Sequence, residues 1–224
     1  MTAPSDPVPT AADSGDDTRV RLAVAAVVVT LLLASLGQTI VTTALPIIVA
    51  DLGGLDRITW VVTAYLLSST VGAPVFGKLG DLFGRKVVIQ AGIAVFLLGG
   101  VICGVAPSME VLIAGRFIQG FGGGGLIVVA MAVVADVLPV RQRGQAQGMM
   151  GAVFGVSTVI GPLTGGFIVQ HLGWHWIFFA NLPIALTALV VLNLALSRPV
   201  LTERPALDVA GAVLLMAVYC RWQC

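Results

Sequence analysis

The chain has 224 residues, 58% of them apolar and only 10% charged, with a mean hydropathy of +1.01. A soluble domain carries about 25% charged residues, so this composition excludes a water-soluble globular protein and makes the lipid bilayer its partner. Twelve basic residues against eleven acidic ones exclude bulk attraction to nucleic acid. Three cysteines (Cys103, Cys220, Cys224) and two histidines supply neither a disulfide framework nor a metal or nucleophile constellation.

Residues 1–18 are rich in Pro, Asp, Ser and Thr and lack a basic stretch ahead of an apolar one, which predicts a disordered tail and not a signal peptide. A bilayer core of about 30 Å needs roughly 20 apolar helical residues. Six segments qualify, at approximately 22–48, 58–76, 87–105, 111–135, 147–169 and 176–196, so residues 19–197 are expected to form a six-helix transmembrane bundle. With the N-terminus in the cytoplasm, nine cations (Arg19, Arg21, Lys78, Arg85, Lys86, Arg141, Arg143, Arg198, Arg204) fall on the inside and only Arg57 on the outside. The positive-inside rule therefore predicts a multi-pass protein of the plasma (inner) membrane with its N-terminus cytoplasmic. Residues 198–207 make a cytoplasmic loop. A seventh apolar stretch starts at Asp208 but meets Cys220-Arg221-Trp222-Gln223-Cys224 after about 12 residues, roughly 18 Å of helix. The expectation for 208–224 is an incomplete helix with an atypical, truncated or frame-shifted tail.

Span two ends in Pro74-Val-Phe-Gly77 with Gly84 seven residues on; span five carries Pro162-Leu-Thr-Gly165-Gly166 with Gly173 seven residues after Gly166. The two stretches leave opposite sides of the membrane, as a three-plus-three inverted repeat requires. Between spans two and three lies Gly77-Lys78-Leu79-Gly80-Asp81-Leu82-Phe83-Gly84-Arg85-Lys86. Its glycines permit tight turning and close helix approach, and Asp81 and Arg85, at i,i+4, would pair on a helix.

Span four holds Arg116-Phe-Ile-Gln119-Gly120 followed by Gly122 to Gly125. An arginine at membrane depth costs about 2.5–3.5 kcal/mol on the insertion scale and is expected to face an aqueous cavity, with Gln119 on the same face. Gly120 and Gly124 form a small-xxx-small face for helix packing. In span five, Pro162 crowds the carbonyl of Thr158 and predicts a bend, while Gly151 with Gly155, and Gly161 with Gly165, predict two close-contact faces.

These motifs resemble the major facilitator superfamily. The run Gly77 to Lys86 looks like its signature loop between helices two and three. That resemblance implies a conformational latch of Gly77, Asp81, Gly84, Arg85 and Lys86 whose partners lie on a C-terminal half missing from this chain. The stretch Leu112-Ile-Ala-Gly-Arg116-Phe-Ile-Gln119-Gly120 resembles the helix-four motif, whose arginine is associated with proton coupling. Gly151-x-x-x-Gly155 through Gly161-Pro162-x-x-Gly165-Gly166 resembles the antiporter motif of exporters. Leu36 to Pro46 and Trp174 to Pro183 are similar to helices one and six of the fourteen-helix drug:proton antiporters.

The resemblance implies an all-α membrane fold, the N-terminal six-helix half of a transporter. It implies no enzymatic activity and no cofactor, the proton gradient being the energy source. Its expected function is proton-coupled efflux of drugs or other amphipathic small molecules by alternating access, with Gln38, Thr42, Arg116 and Gln119 lining the substrate and proton pathway. An uptake symporter of the same superfamily and a non-transporting fragment are the alternatives. The family pattern has Asp where Gly37 stands and often Asn where Thr42 stands. No acid falls in mid-membrane, so the proton carrier is expected in the missing portion or at Asp51 or Asp136, unless coupling is altered. Trp60, Trp174 and Trp176 are expected in the outer aromatic belt and His171 and His175 at the interface. Cys103 is expected in the packing, and Arg141 and Arg143 as anchors of the inner loop.

Overall fold

The computed structural model describes residues 12–195, with side chains from 21 to 194; of the tail expected over 1–18, residues 12–18 are helical and belong to the start of the first helix, while residues 1–11, the expected loop 198–207 and the expected incomplete helix 208–224 lie outside the described residues. Among the described residues every regular element is a helix: α1 Ala12–Leu52, a 3-10 turn Leu55–Arg57, α2 Ile58–Phe83, α3 Arg85–Gly104, α4 Met109–Val137, α5 Val140–Leu172, α6 Trp176–Phe179 and α7 Asn181–Ala195. Six membrane-capable helical stretches result, the last running from Trp176 to Leu194.

Helix ends fall where the backbone chemistry puts them. Gly53 and Gly54, at φ 71° and 75°, end α1, with the Gly53 N–H donating to the Val49 carbonyl at 2.9 Å; this left-handed turn is the usual glycine C-cap. Ser108, extended at φ −149°, accepts from the Val111 N–H and caps α4, which stops ahead of Pro139. The end of the last span differs from expectation. A single helix over 176–196 is expected, but the helix breaks at Ala180 into α6 and α7, because Pro183 has no N–H to donate to the Phe179 carbonyl one turn earlier. By contrast α5 runs on through Pro162 without interruption.

The faint repeat has a structural counterpart. Gly84, after α2, has φ 90°, ψ 142°; Gly173, after α5, has φ 93°, ψ 161°. Both matched stretches therefore leave their helices through the same backbone conformation, which favours glycine.

Helix α4 lies at the centre, packed chiefly against α2 and α3 and also against α1, while α1 packs chiefly against α5 and α7. Helices α1 and α4 are accordingly the most buried along their apolar stretches, whereas α2 and α5 are the least covered. The glycine row of α4 permits this. A methyl group at Gly120 would strike the Tyr65 carbonyl and Ser68, and one at Gly124 would strike the Ser69 carbonyl, all on α2. At Gly122 it would meet the Phe96 backbone nitrogen and the Gly92 carbonyl of α3 at 2.6 and 2.8 Å. The expected small-xxx-small face thus seats α2, and the intervening glycine seats α3 on the other side.

In α5 only one of the two expected glycine faces is occupied. Gly161 and Gly165 abut Thr39 and Ile40 of α1, whereas Gly151, Gly155 and Gly166 have no neighbour within 4 Å among the described residues. A 2.7 Å hydrogen bond between the buried hydroxyls of Ser35 and Ser157 and a 3.2 Å bond from the Thr39 hydroxyl to the Ser157 carbonyl reinforce the α1–α5 contact.

Candidate functional site

Arg116 is the largest fully buried side chain, 1% exposed. Its position one turn inside the glycine row of α4 brings α1 and α2 within reach. Nε donates to the Val61 carbonyl of α2 at 3.3 Å, and Nη1 donates to the Gly37 carbonyl of α1 at 3.1 Å and to Gln119 Oε1 at 2.7 Å. The guanidinium carbon lies 4.2 Å from the centroid of the Tyr65 ring, whose hydroxyl donates to the Ala34 carbonyl at 3.2 Å.

The expectation that Arg116 faces an aqueous cavity is corrected by this geometry. The side chain runs into the bundle and is 1% exposed. Among the described residues it forms no ion pair; Glu110, six residues earlier on α4, pairs with Arg57 instead. Two backbone carbonyls, one amide and one π face distribute the charge over three helices. A desolvated cation–π contact contributes about 2 kcal/mol and each hydrogen bond from a charged donor about 1.5–3 kcal/mol, enough together to hold a cation that no carboxylate meets.

The four expected pathway residues divide into pairs. Arg116 and Gln119 are joined directly and both are buried, while Gln119 Nε2 is a buried donor with no acceptor among the described residues. Gln38 is half-buried on α1, and Thr42 is exposed with its hydroxyl donating back to the Thr39 carbonyl at 2.7 Å. Neither touches the arginine cluster among the described hydrogen bonds. Sequence reasoning missed Tyr65, Val61 and the Gly37 carbonyl. Only Tyr65 left a trace, being one of two tyrosines in the chain and placed inside an apolar span.

Gly37, where an acidic residue would match the family pattern, is occupied from outside. A methyl there would strike Cζ of Phe96, a ring that is 0% exposed. Gly37→Ala is therefore expected to cost about 1–3 kcal/mol by overpacking. In a Phe96→Leu background the same substitution should cost at least about 1 kcal/mol less. Equilibrium unfolding in mixed micelles across this double-mutant cycle measures the coupling, and additive costs would exclude Phe96 as the obstacle.

The expected latch is largely helical. Gly77 to Phe83 form the last two turns of α2, Gly84 breaks the helix, and Arg85 opens α3. Arg85 Nη2 pairs with Asp81 Oδ1 at 2.7 Å across that break, and its Nε pairs with Asp136 Oδ2 of α4 at 3.1 Å. Asp136 thus joins α4 to the cluster, a connection sequence reasoning missed because 51 residues separate the pair. Lys86 donates to the Asn193 carbonyl of α7 at 3.4 Å. Arg143 donates to the Ala135 and Leu138 carbonyls at 2.6 and 3.2 Å, where a cation favours the C-terminal end of α4; the expected anchor is this helix cap.

At the other end of the bundle, Trp60 and Trp176 are half-exposed, as an aromatic belt requires, but Trp174 is 3% exposed. Its indole N–H donates to Asp51 Oδ2 at 2.8 Å, and the buried hydrogen bond explains why it left the belt. His175 stacks on it at 3.7 Å between ring centroids, while His171 stacks on Phe167 at 4.4 Å. Cys103 is buried, with its thiol directed at the Leu112 carbonyl, in line with a packing role.

The Major Facilitator Superfamily model matches residues 27–217. An uncharacterized MFS-type transporter of Mycobacterium tuberculosis is 45% identical over 86% of this chain and 28% of its own length. Multidrug transporter protein MdtP of Bacillus subtilis is 41% identical over 88% of the chain and 36% of its own, and Multidrug resistance protein 3 of the same organism is 39% identical over 85% and 37%. The chain thus spans about a third of the curated relatives it matches. Among solved structures, the human organic anion transporter MFSD10 (TETRAN) superposes with a TM-score of 0.71 at 22% identity, covering 88% of this chain and 53% of its own. The proton:xylose symporter XylE does so at 0.72 and 14%, covering 80% and 45%; both likenesses establish the fold. Six membrane-capable helices, the motif at the α2–α3 junction and the match over residues 27–217 converge on one assignment: this multi-pass membrane chain belongs to the major facilitator superfamily.

Proposed function

We propose that this chain supplies the first six-helix bundle of an exporter that expels amphipathic small molecules in exchange for protons by alternating access. The buried Arg116 cluster carries the reading. A cation held by carbonyls of α1 and α2 and by Gln119 is costly to keep in a membrane and marks a functional position. Because each of its three hydrogen-bond partners is neutral, the charge stays unneutralised inside the bundle and would act on the pathway only through its field. Arginine itself does not release its proton. The proton-carrying carboxylate is assigned to the second half, with Asp51 and Asp136 as the candidates on this chain.

The named multidrug relatives and the unoccupied α5 face at Gly151, Gly155 and Gly166 support an exporter with a second bundle seated against α5. The latch of Gly77, Asp81, Gly84, Arg85 and Lys86 would then act at the junction of the halves.

Everted membrane vesicles bearing the bundle in a complete transporter test the reading. Inward-acid vesicles should accumulate an amphipathic dye, and Arg116→Ala should abolish that accumulation with the membrane level of the protein unchanged. Undiminished accumulation by the variant would remove the proposed role. Dye loss from the vesicles instead of accumulation would assign uptake.

A further inference from the structure

Among the described residues two buried side-chain amide atoms have no hydrogen-bond partner, the donor Gln119 Nε2 on α4 and the acceptor Asn181 Oδ1 at the start of α7. Gln119 is 0% exposed and Asn181 2%. The orientation of the Gln119 amide is fixed. Its Oε1 accepts from Arg116 Nη1 at 2.7 Å, and a guanidinium has no acceptor to offer the NH2 end, so the amide cannot turn over.

The glycines of α3 bring these groups to one place. A methyl at Gly99 would strike the backbone of Gln119, and one at Gly104 would meet the Phe179 ring at 2.8 Å. At Gly100, between them, the nearest atoms to a methyl are Gln119 Nε2 at 3.4 Å and the Phe178 carbonyl oxygen at 3.9 Å. Both are ordinary contacts, so Gly100 borders a small space rimmed by polar atoms of α4 and α6. Asn181 follows Phe178 by three residues and is buried with it, whereas Phe179 and Ala180 are partly exposed. Ala180 keeps helical backbone angles, φ −60° and ψ −21°, and residues at that spacing share a face.

An occupant of this space has to accept and donate at once. A metal ion would be repelled by the Gln119 N–H, and an apolar group would leave both amides unpaired. Water accepts from Gln119 Nε2 and donates to Asn181 Oδ1 and the Phe178 carbonyl, which makes about three hydrogen bonds, the usual number for a buried water. We propose that one ordered water binds on these three atoms, and that through it Asn181 is a positioning residue for Arg116. The water holds the NH2 end of Gln119, and Gln119 in turn keeps its oxygen on the guanidinium. The break between α6 and α7 is thereby tied to the arginine cluster of α4. The site goes beyond the transport reading, because it concerns this bundle by itself.

Magic-angle-spinning NMR of the full chain in perdeuterated lipid bilayers, with nitrogen-15 in the glutamine and arginine side chains, tests the proposal. Gln119→Leu assigns the Gln119 amide signal. A cross-peak is expected between that amide and the water resonance, since a side chain 0% exposed is not reached by bulk water. Asn181→Leu, of similar volume, removes one acceptor, and Gly100→Ala takes up part of the space with contacts no closer than 3.4 Å. Each should lose the cross-peak and shift the Arg116 guanidinium signal. Thr187→Val, on the exposed side of α7, should leave both signals unchanged. Circular dichroism identifies folded variants, and the two site variants act independently, so one that misfolds leaves the other decisive. A wild-type amide without the water cross-peak, or a cross-peak that persists in a folded site variant, would overturn the water site. Loss of the cross-peak with the Arg116 signal unmoved would overturn the positioning role. Vesicle transport is a separate readout, so its failure and the failure of this site are distinguishable.

Discussion

Arg116→Lys is expected to destabilise the bundle more than Arg116→Met does, although lysine keeps the charge and methionine discards it. The planar fork reaches Val61 of α2 through Nε and both Gly37 of α1 and Gln119 through Nη1, and its face lies over Tyr65. A lysine ammonium presents its donors from a single point and cannot meet three acceptors on three helices in the same directions. It therefore remains buried and poorly solvated, or gives up its proton. Methionine fills a similar volume without a charge. The Gly37 and Val61 carbonyls still accept the helical N–H four residues on, so only Gln119 Oε1 loses its partner, at about 1–3 kcal/mol. Losing part of a buried charge's hydrogen bonding costs more, about 3–5 kcal/mol. Equilibrium unfolding of both variants in mixed micelles gives the order. If lysine proved the milder change, the charge alone and not the fork would be what the site preserves.

Gly124→Val should cost about 3 kcal/mol or more and separate α2 from α4, and Gly155→Ala should be near neutral in the same measurement. The difference is the nature of the obstacle. At Gly124 the new side chain meets the backbone of Ser69, its Cα and carbonyl carbon both at 2.6 Å, and a backbone cannot rotate out of the way as a flexible side chain can. At Gly155 nothing lies within 4 Å among the described residues, and alanine is the better helix former by about 1 kcal/mol. If a second bundle docks on this face, Gly155→Ala should nonetheless slow transport in the complete exporter. Disulfide trapping between α2 and α4 in the Gly124→Val protein would report whether the helices have parted; unchanged stability would remove the close approach from the account of the core.

The places where the chain turns were legible because they are local. Gly53-Gly54, Gly84, Pro139 and Gly173 each mark a helix end through their own backbone restrictions. The Asp81–Arg85 pair was also within reach, being four residues apart, although Gly84 interrupts the helix between them. The Gly120/Gly124 face was readable from its spacing, and so was the shared face of Gln119 and Arg116. Reading failed wherever a side chain answered to a distant segment. The spacing of Gly151 and Gly155 resembles that of Gly161 and Gly165, yet only the second pair touches α1, since sequence spacing marks a face without naming its neighbour. Trp174 and Trp176 are two residues apart and similar in surroundings along the chain. One is buried against Asp51 and the other half-exposed.

Composition and hydropathy by themselves determined that the described residues form a helical membrane bundle of six spans, because every apolar residue in a bilayer answers to the same solvent and every backbone group must be paired within its own helix. Motif spacing marked the glycine faces through which helices can approach closely. Only the tertiary structure decided what balances Arg116, what fills the space beside Gly37, and which carboxylate joins Arg85 from α4. Those outcomes depend on the rotation and depth of helices that are neighbours in space and remote in sequence, and a buried charge takes whatever acceptors that packing sets around it.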